Sequence, residues 1–217
     1  MGFNVSTISA EVGRLGVQRP NKFEMTFPMP DSLKGTTEFT NLTNTNRVMQ
    51  LYCEATNLPG VANMLEDVRR YGYGPNEKMP YAPVFNDITL TFRGDAYGQI
   101  WTFLSSWMRC AINFESRGDF ITKQGPIQNQ YAYEVGYKKD TTNGEGYAVD
   151  AQLSMFDETG QERLRIMMRD AFPCYVGDVP LNWGSRSDYM RIPVTMCFFD
   201  WYNATPGTTQ INNTANF

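Results

Sequence analysis

Between Lys22 and Phe27 the chain alternates, with Phe23, Met25 and Phe27 on one side and Lys22, Glu24 and Thr26 on the other. A period of two predicts a strand with one buried face, because successive strand side chains point to opposite sides. The same pattern sets Ile88, Leu90 and Phe92 against Asp87, Thr89 and Thr91. A third stretch, residues 188–202, alternates Met190, Ile192, Val194, Met196 and Phe198. Its other face begins polar, with Arg191 and Thr195, and turns apolar at Cys197, Phe199 and Trp201. A strand that ends apolar on both faces needs a second cover, which a short helix or an adjacent molecule can supply.

The period changes once. Ile100, Phe103, Leu104, Trp107, Met108 and Ala111 fall on one helical stripe, which predicts an amphipathic helix over residues 97–112. Elsewhere the signals are strand-like. The segment "RVMQLYCEATN" reads as a second strand ending at the Pro59-Gly60 turn. The segments "QYAYEVGYK" and "GYAVDAQLSMFD" read as a hairpin joined through "KKDTTNGEG". "ERLRIMMRDAFP" fits either period and is assigned to strand because of the C-terminal segment next to it. Residues 29–46, rich in Pro, Gly, Thr and Asn, read as a loop, and the last fifteen residues read as a tail with little to bury. The segment 61–84 holds Gly72, Gly74, Pro75, Pro80 and Pro83 and has no sustained period. A connection of that length inside one domain points to a role of its own. The fold expected is a mainly antiparallel β domain with one principal helix.

At 217 residues, 41% hydrophobic and 14% aromatic, the chain is globular and can bury roughly 70% of the surface it would expose unfolded. Its net charge of -4 lacks the basic footprint that gripping phosphates requires, so tight nucleic-acid binding is not expected. Histidine is absent, which removes Ser-His and Cys-His nucleophiles and His-based metal sites. Cys53, Cys110, Cys174 and Cys197 form no C-x-x-C pair, so they are read as buried free thiols with no metal or redox motif. The neighbours Asp157 and Glu158 read as a solvated turn. Gly72-Tyr73-Gly74 and Gly144-Glu145-Gly146 lack the following helix and Lys of a phosphate loop. No cofactor and no catalytic residue are assigned. Trp101, Trp107, Tyr131, Tyr133 and Tyr137 could form a sugar or base platform but have no interleaved basic residues, which favours core packing. No signal sequence or apolar membrane span is visible, and a reducing cytoplasm fits the cysteine usage.

The C-terminal part also carries a resemblance. Phe172-Pro173, Val176-Gly177, Leu181-x-Trp183 and a last strand ending in Asp200, Trp201 and Tyr202 resemble the closing segment of tail tube proteins of contractile-tailed bacteriophages. Arg19-Pro20-Asn21 with Phe23, then Cys53, Ala55, Leu58 and Pro59, then Phe85-Asn86-Asp87, are similar to that family in the same order. The resemblance covers residues 19–202, leaving an N-terminal arm (1–18) and a C-terminal tail (203–217). It implies an antiparallel β-sandwich or small barrel with a helix on its flank, and a structural virion protein rather than an enzyme. It further implies homohexameric rings stacked into a tube, made in the host cytoplasm, through which genomic DNA passes without tight binding. Tail sheath and baseplate proteins are the implied partners, with no membrane. A baseplate protein that initiates the tube shares the fold, and a β-rich carbohydrate-binding module remains a reading from a different class.

For contact between subunits, the candidates lie in segment 61–84 and at the end of the last strand. Arg69, Arg70, Tyr71, Tyr73 and Met79, with Met64 and Leu65, mix the Arg, Met and aromatic residues enriched at interfaces. Phe199 and Trp201 are the apolar residues left over by the last strand.

Overall fold

The computed structural model describes residues 13, 19–34, 45–69, 72, 74–112, 121–122, 125–126, 135–136, 138–139, 146–184 and 188–205. Its main sheet runs in the order β1 (Phe23–Thr26), β8 (Val149–Phe156), β9 (Glu162–Val176), β10 (Arg191–Cys197), β5 (Ile88–Arg93) and β2 (Cys53–Thr56), and β11 (Asp200–Ala204) also pairs with β9. Every pairing is antiparallel. β1 and β2 end the sheet, so among the described residues it is open, and the barrel alternative does not close. Two further ladders pair β3 (Val61–Val68) with β4 (Glu77–Phe85), and β6 (Ile121–Thr122) with β7 (Gly125–Pro126).

The alternating segments bury the faces that their period assigns. Met25 and Phe27, Ile88, Leu90 and Phe92, and Ile192, Val194 and Met196 are all buried. They share one core with Ala151, Leu153 and Met168 from β8 and β9 and with the apolar stripe of helix α2 (Gln99–Ala111). The helix starts at Gln99, two residues inside the expected 97–112, where Asp95 receives the free N–H groups of Gln99 and Ile100, each at 3.1 Å. Satisfying those orphan donors is what an N-terminal cap does.

β9 joins the two halves of the sheet. Arg165 to Arg169 pair with β11, and Phe172 to Val176 pair with β10. The changeover falls at Asp170, which has a positive φ of 54°, a conformation uncommon outside glycine. Opposite it, the expected continuous strand 188–202 breaks into β10 and β11 at Phe198-Phe199, where the Phe199 N–H bonds the Arg169 carbonyl at 2.9 Å.

Three expectations need correction. The first part of "RVMQLYCEATN" is not strand: helix α1 (Thr45–Tyr52) occupies "RVMQLY", and only Cys53–Thr56 is extended. The helix is selected by packing, since Met49 is buried in the core and the Gln50 amide bonds the Thr26 hydroxyl at 2.9 Å. Segment 61–84 is a hairpin rather than an irregular connection. The loop at 29–46 contains a 3-10 turn at Asp31–Leu33 and opens into α1. The assignment of "ERLRIMMRDAFP" to strand holds as part of β9. Of the hairpin partner "QYAYEVGYK", only Val135, Gly136 and Lys138 are described, with Val135 bridging Ile112. The N-terminal arm (Gly13 apart) and residues 206–217 lie outside the described residues.

Candidate assembly surfaces

The β3–β4 hairpin is built by local chemistry at both ends. At its tip Gly72 and Gly74 take φ values of 74° and 94°, a region that glycine enters without steric cost. At its root the Asn86 N–H bonds the Gly60 carbonyl at 3.2 Å, and the Phe85 ring meets the Phe198 ring edge-on at 6.5 Å. Between these points the two strands pair from Val61↔Phe85 to Val68↔Glu77, with a bulge beside Met64 and Leu65.

Almost every side chain of this hairpin is exposed. Directly opposed residues share a face. Leu65 therefore shares its face with Pro80, while Met79 shares the other face with Glu66. Val61, Met64, Leu65, Met79, Tyr81 and Val84 all remain exposed, so both faces carry uncovered apolar groups. That explains the missing period: the single chain buries neither face. A two-stranded ribbon in water is marginal without support, so the arm calls for a partner.

Of the residues expected at a subunit contact, Arg69 and Met79 are on this arm and exposed. Arg69 bonds the Asn76 side chain across the tip. Arg70, Tyr71 and Tyr73 lie outside the described residues. Phe199 and Trp201 are elsewhere, at the β10–β11 break. Phe199 is 64% exposed, with the Lys138 ammonium 5.7 Å and the Arg169 guanidinium 5.8 Å from its ring centre. Arg169 is itself paired with Asp200. Trp201 packs half-buried against the core, and its indole N–H is buried with no hydrogen-bond partner among the described residues. The second face of the last strand is thus covered from within at Trp201 and left open at Phe199.

Sequence reasoning did not mark Leu181 and Trp183 as exposed. Both stand out from the segment after β9, Trp183 fully, and the sequence there has no alternation to signal it. The nearby Gly177 has a clear physical reason. Its N–H bonds the Pro193 carbonyl at 2.7 Å, and a Cβ there would lie 2.7 Å from Pro193 Cγ.

The acidic turn and the tryptophans singled out from the sequence do not converge on one site. Asp157 closes its turn by accepting from the Thr159 hydroxyl at 2.6 Å, the Gln161 N–H at 2.9 Å and Arg163 Nε at 2.9 Å. These donors, Thr159 first, hold its carboxyl below the usual range. Trp107 is buried, donating to the Tyr147 carbonyl at 2.7 Å, while Trp101 is on the exposed side of α2. Tyr131, Tyr133 and Tyr137 lie outside the described residues. The thiols differ from expectation: Cys110 is buried, Cys53 and Cys197 are half-buried, and Cys174 is exposed. Burial pushes the Cys53 and Cys110 thiols up to about 12. Among the described residues, no helix is long and apolar enough to cross a membrane.

An open β fold that leaves an apolar arm uncovered is the build of an assembly subunit. The chain belongs to the phage tail tube protein family, whose model matches residues 18–204, and its role is that of a structural tail tube protein. No curated protein matches it. Solved structures share its fold at low identity. A chain of the anti-feeding prophage baseplate, solved as a 6-fold symmetrised structure, has a TM-score of 0.54 and 9% identity, covering 87% of this chain and 96% of that one. A chain of the sheath-tube complex of an extracellular contractile injection system in its extended state gives 0.52 and 12%, covering 94% and 99%. A chain of that system's sheath/tube terminator gives 0.53 and 13%, covering 88% and 98%.

Proposed function

We propose that the protein is a non-enzymatic subunit of a contractile phage tail, forming hexameric rings that stack into the inner tube. The observation that carries this reading is the β3–β4 arm, which carries exposed apolar groups on both faces in the single chain. Burial of such surface is the main drive to association, and an arm between two neighbouring copies has both faces covered. Family membership supports the tube role. The contractile setting, with sheath and baseplate as neighbours, is supported by the fold shared with chains of a baseplate and a sheath-tube complex; in this reading the subunit assembles in the host cytoplasm and ends in the virion. The mild net charge of -4 suits a channel that lets DNA slide without gripping it. Residues 19–202 form the ring-building domain in this reading, flanked by arm and tail.

Negative-stain electron microscopy of the purified protein tests it. The wild type is expected to give sixfold rings that stack into tubes, and well-ordered monomers at high concentration would overturn the proposal. The double change Leu65→Asp with Met79→Asp puts a charge on each face of the arm at exposed positions. It is expected to keep wild-type circular dichroism and melting while abolishing tubes, as is Arg69→Glu with Arg70→Glu. Normal polymerisation by both variants would remove the arm from the contact. Single rings that never stack would indicate the tube initiator, and a monomer that binds a glycan would indicate the carbohydrate-binding module.

A further inference from the structure

Three ligand-bearing side chains converge at the root of the hairpin from separate parts of the chain. Asp87 lies in the link between β4 and β5, and Cys197 ends β10. Cys174 occupies the β9 bulge, where the register shifts between Thr195 and Met196. From that position its thiol donates to the Thr195 carbonyl at 3.3 Å. One carboxylate oxygen of Asp87 and the two Sγ atoms all lie within 4.8 Å of one another.

We propose that Asp87, Cys174 and Cys197 form a binding site for one divalent cation of the zinc class, with a fourth position open to water. Geometry supports this. A tetrahedral zinc with Zn–S bonds of about 2.3 Å sets its sulfur ligands about 3.8 Å apart. The present spread, at most 4.8 Å, exceeds that by no more than about 1 Å, a gap that side-chain rotation closes. Ligand type supports it as well, since two thiolates with a carboxylate select zinc over magnesium or calcium, which prefer all-oxygen shells. Asp87 and Cys174 are exposed, which leaves the fourth position facing solvent. A bound cation would tie the strand leaving the hairpin to the β9–β10 pair, whether or not the protein forms tubes.

The test uses the full chain, stripped with a chelator under a non-thiol reductant and titrated with Co²⁺, then Zn²⁺. One equivalent of Co²⁺ is expected to bind with a thiolate-to-cobalt charge-transfer band in the near ultraviolet, and Zn²⁺ is expected to displace it. Cys174→Ser and Cys197→Ser should each remove about half of the band, since each removes one of two thiolate ligands. Asp87→Asn should weaken binding at least ~10-fold, and Cys53→Ser should change nothing. If Cys197→Ser does not fold, Cys174→Ser and Asp87→Asn, both at exposed residues, decide the matter. No uptake by the reduced wild type overturns the site, as does uptake unchanged in those two variants. A Cys174–Cys197 disulfide forming in air, in a protein that binds no metal when reduced, also overturns it.

Discussion

Trp107→Ala removes the side chain that joins α2 to the rest of the core. Trp107 is 1% exposed, its ring edge-on to Phe27 at 6.1 Å and to Phe103 at 5.6 Å. Its indole donates to the Tyr147 carbonyl at 2.7 Å. Truncating a buried Trp to Ala costs about 3–5 kcal/mol in lost transfer energy and residual cavity. The orphaned Tyr147 carbonyl adds about 1 kcal/mol or more unless water enters the cavity. A loss of about 4–6 kcal/mol is a large part of the roughly 5–15 kcal/mol that holds a domain folded. In a chain of this length it should lower Tm by roughly 10–20 °C. Thermal and urea unfolding, followed by far-ultraviolet circular dichroism, read the loss. Trp107→Phe keeps most of the aromatic surface and should fall in between, while Trp183→Ala, at a fully exposed residue, should stay within about 0.5 kcal/mol of wild type. A Trp107→Ala protein melting no lower than Trp183→Ala would refute the packing of α2 on the sheet.

Two further outcomes follow from close contacts and from charge. Gly177→Ala and Gly136→Ala should each lower Tm more than Gly60→Ala. The added Cβ would lie 2.7 Å from Pro193 Cγ in the first and 2.1 Å from the Cys110 carbonyl oxygen in the second, against 3.3 Å from the Asn86 amide nitrogen in the third; equal Tm values would show that the backbone yields. Because the Asp157 pKa is depressed in the folded state, its stabilisation is complete above the unfolded carboxyl value of about 4 and is lost as pH falls through the folded value. The Tm difference between wild type and Asp157→Asn should therefore be constant from pH 7 to about 5 and shrink below about 4, and a difference unchanged at pH 2 would contradict the turn's hydrogen bonding.

Where one face of an element meets the core and the other meets solvent, the sequence alone was sufficient. Phe23 to Phe27, Ile88 to Phe92, Met190 to Met196 and the stripe of α2 each carry a period set by one-sided burial, and that period is local. The family resemblance rested mostly on other residues, short motifs from Arg19 to Tyr202 that recur in order along the chain. Tertiary structure decided what periodicity does not encode. "RVMQLY" is too short for its period to separate helix from strand, and Met49 packing into the core settled it as helix. The hairpin of residues 61–85 shows no period because the single chain buries neither of its faces, so its pairing appears only when Val61 meets Phe85. The break at Phe198-Phe199 depends on Asp170 opposite, far away in sequence. Asp87, Cys174 and Cys197 look like unrelated residues along the chain. Only the β9 bulge and the strand order bring their ligand atoms together, and such proximity is a property of the folded sheet, not of spacing.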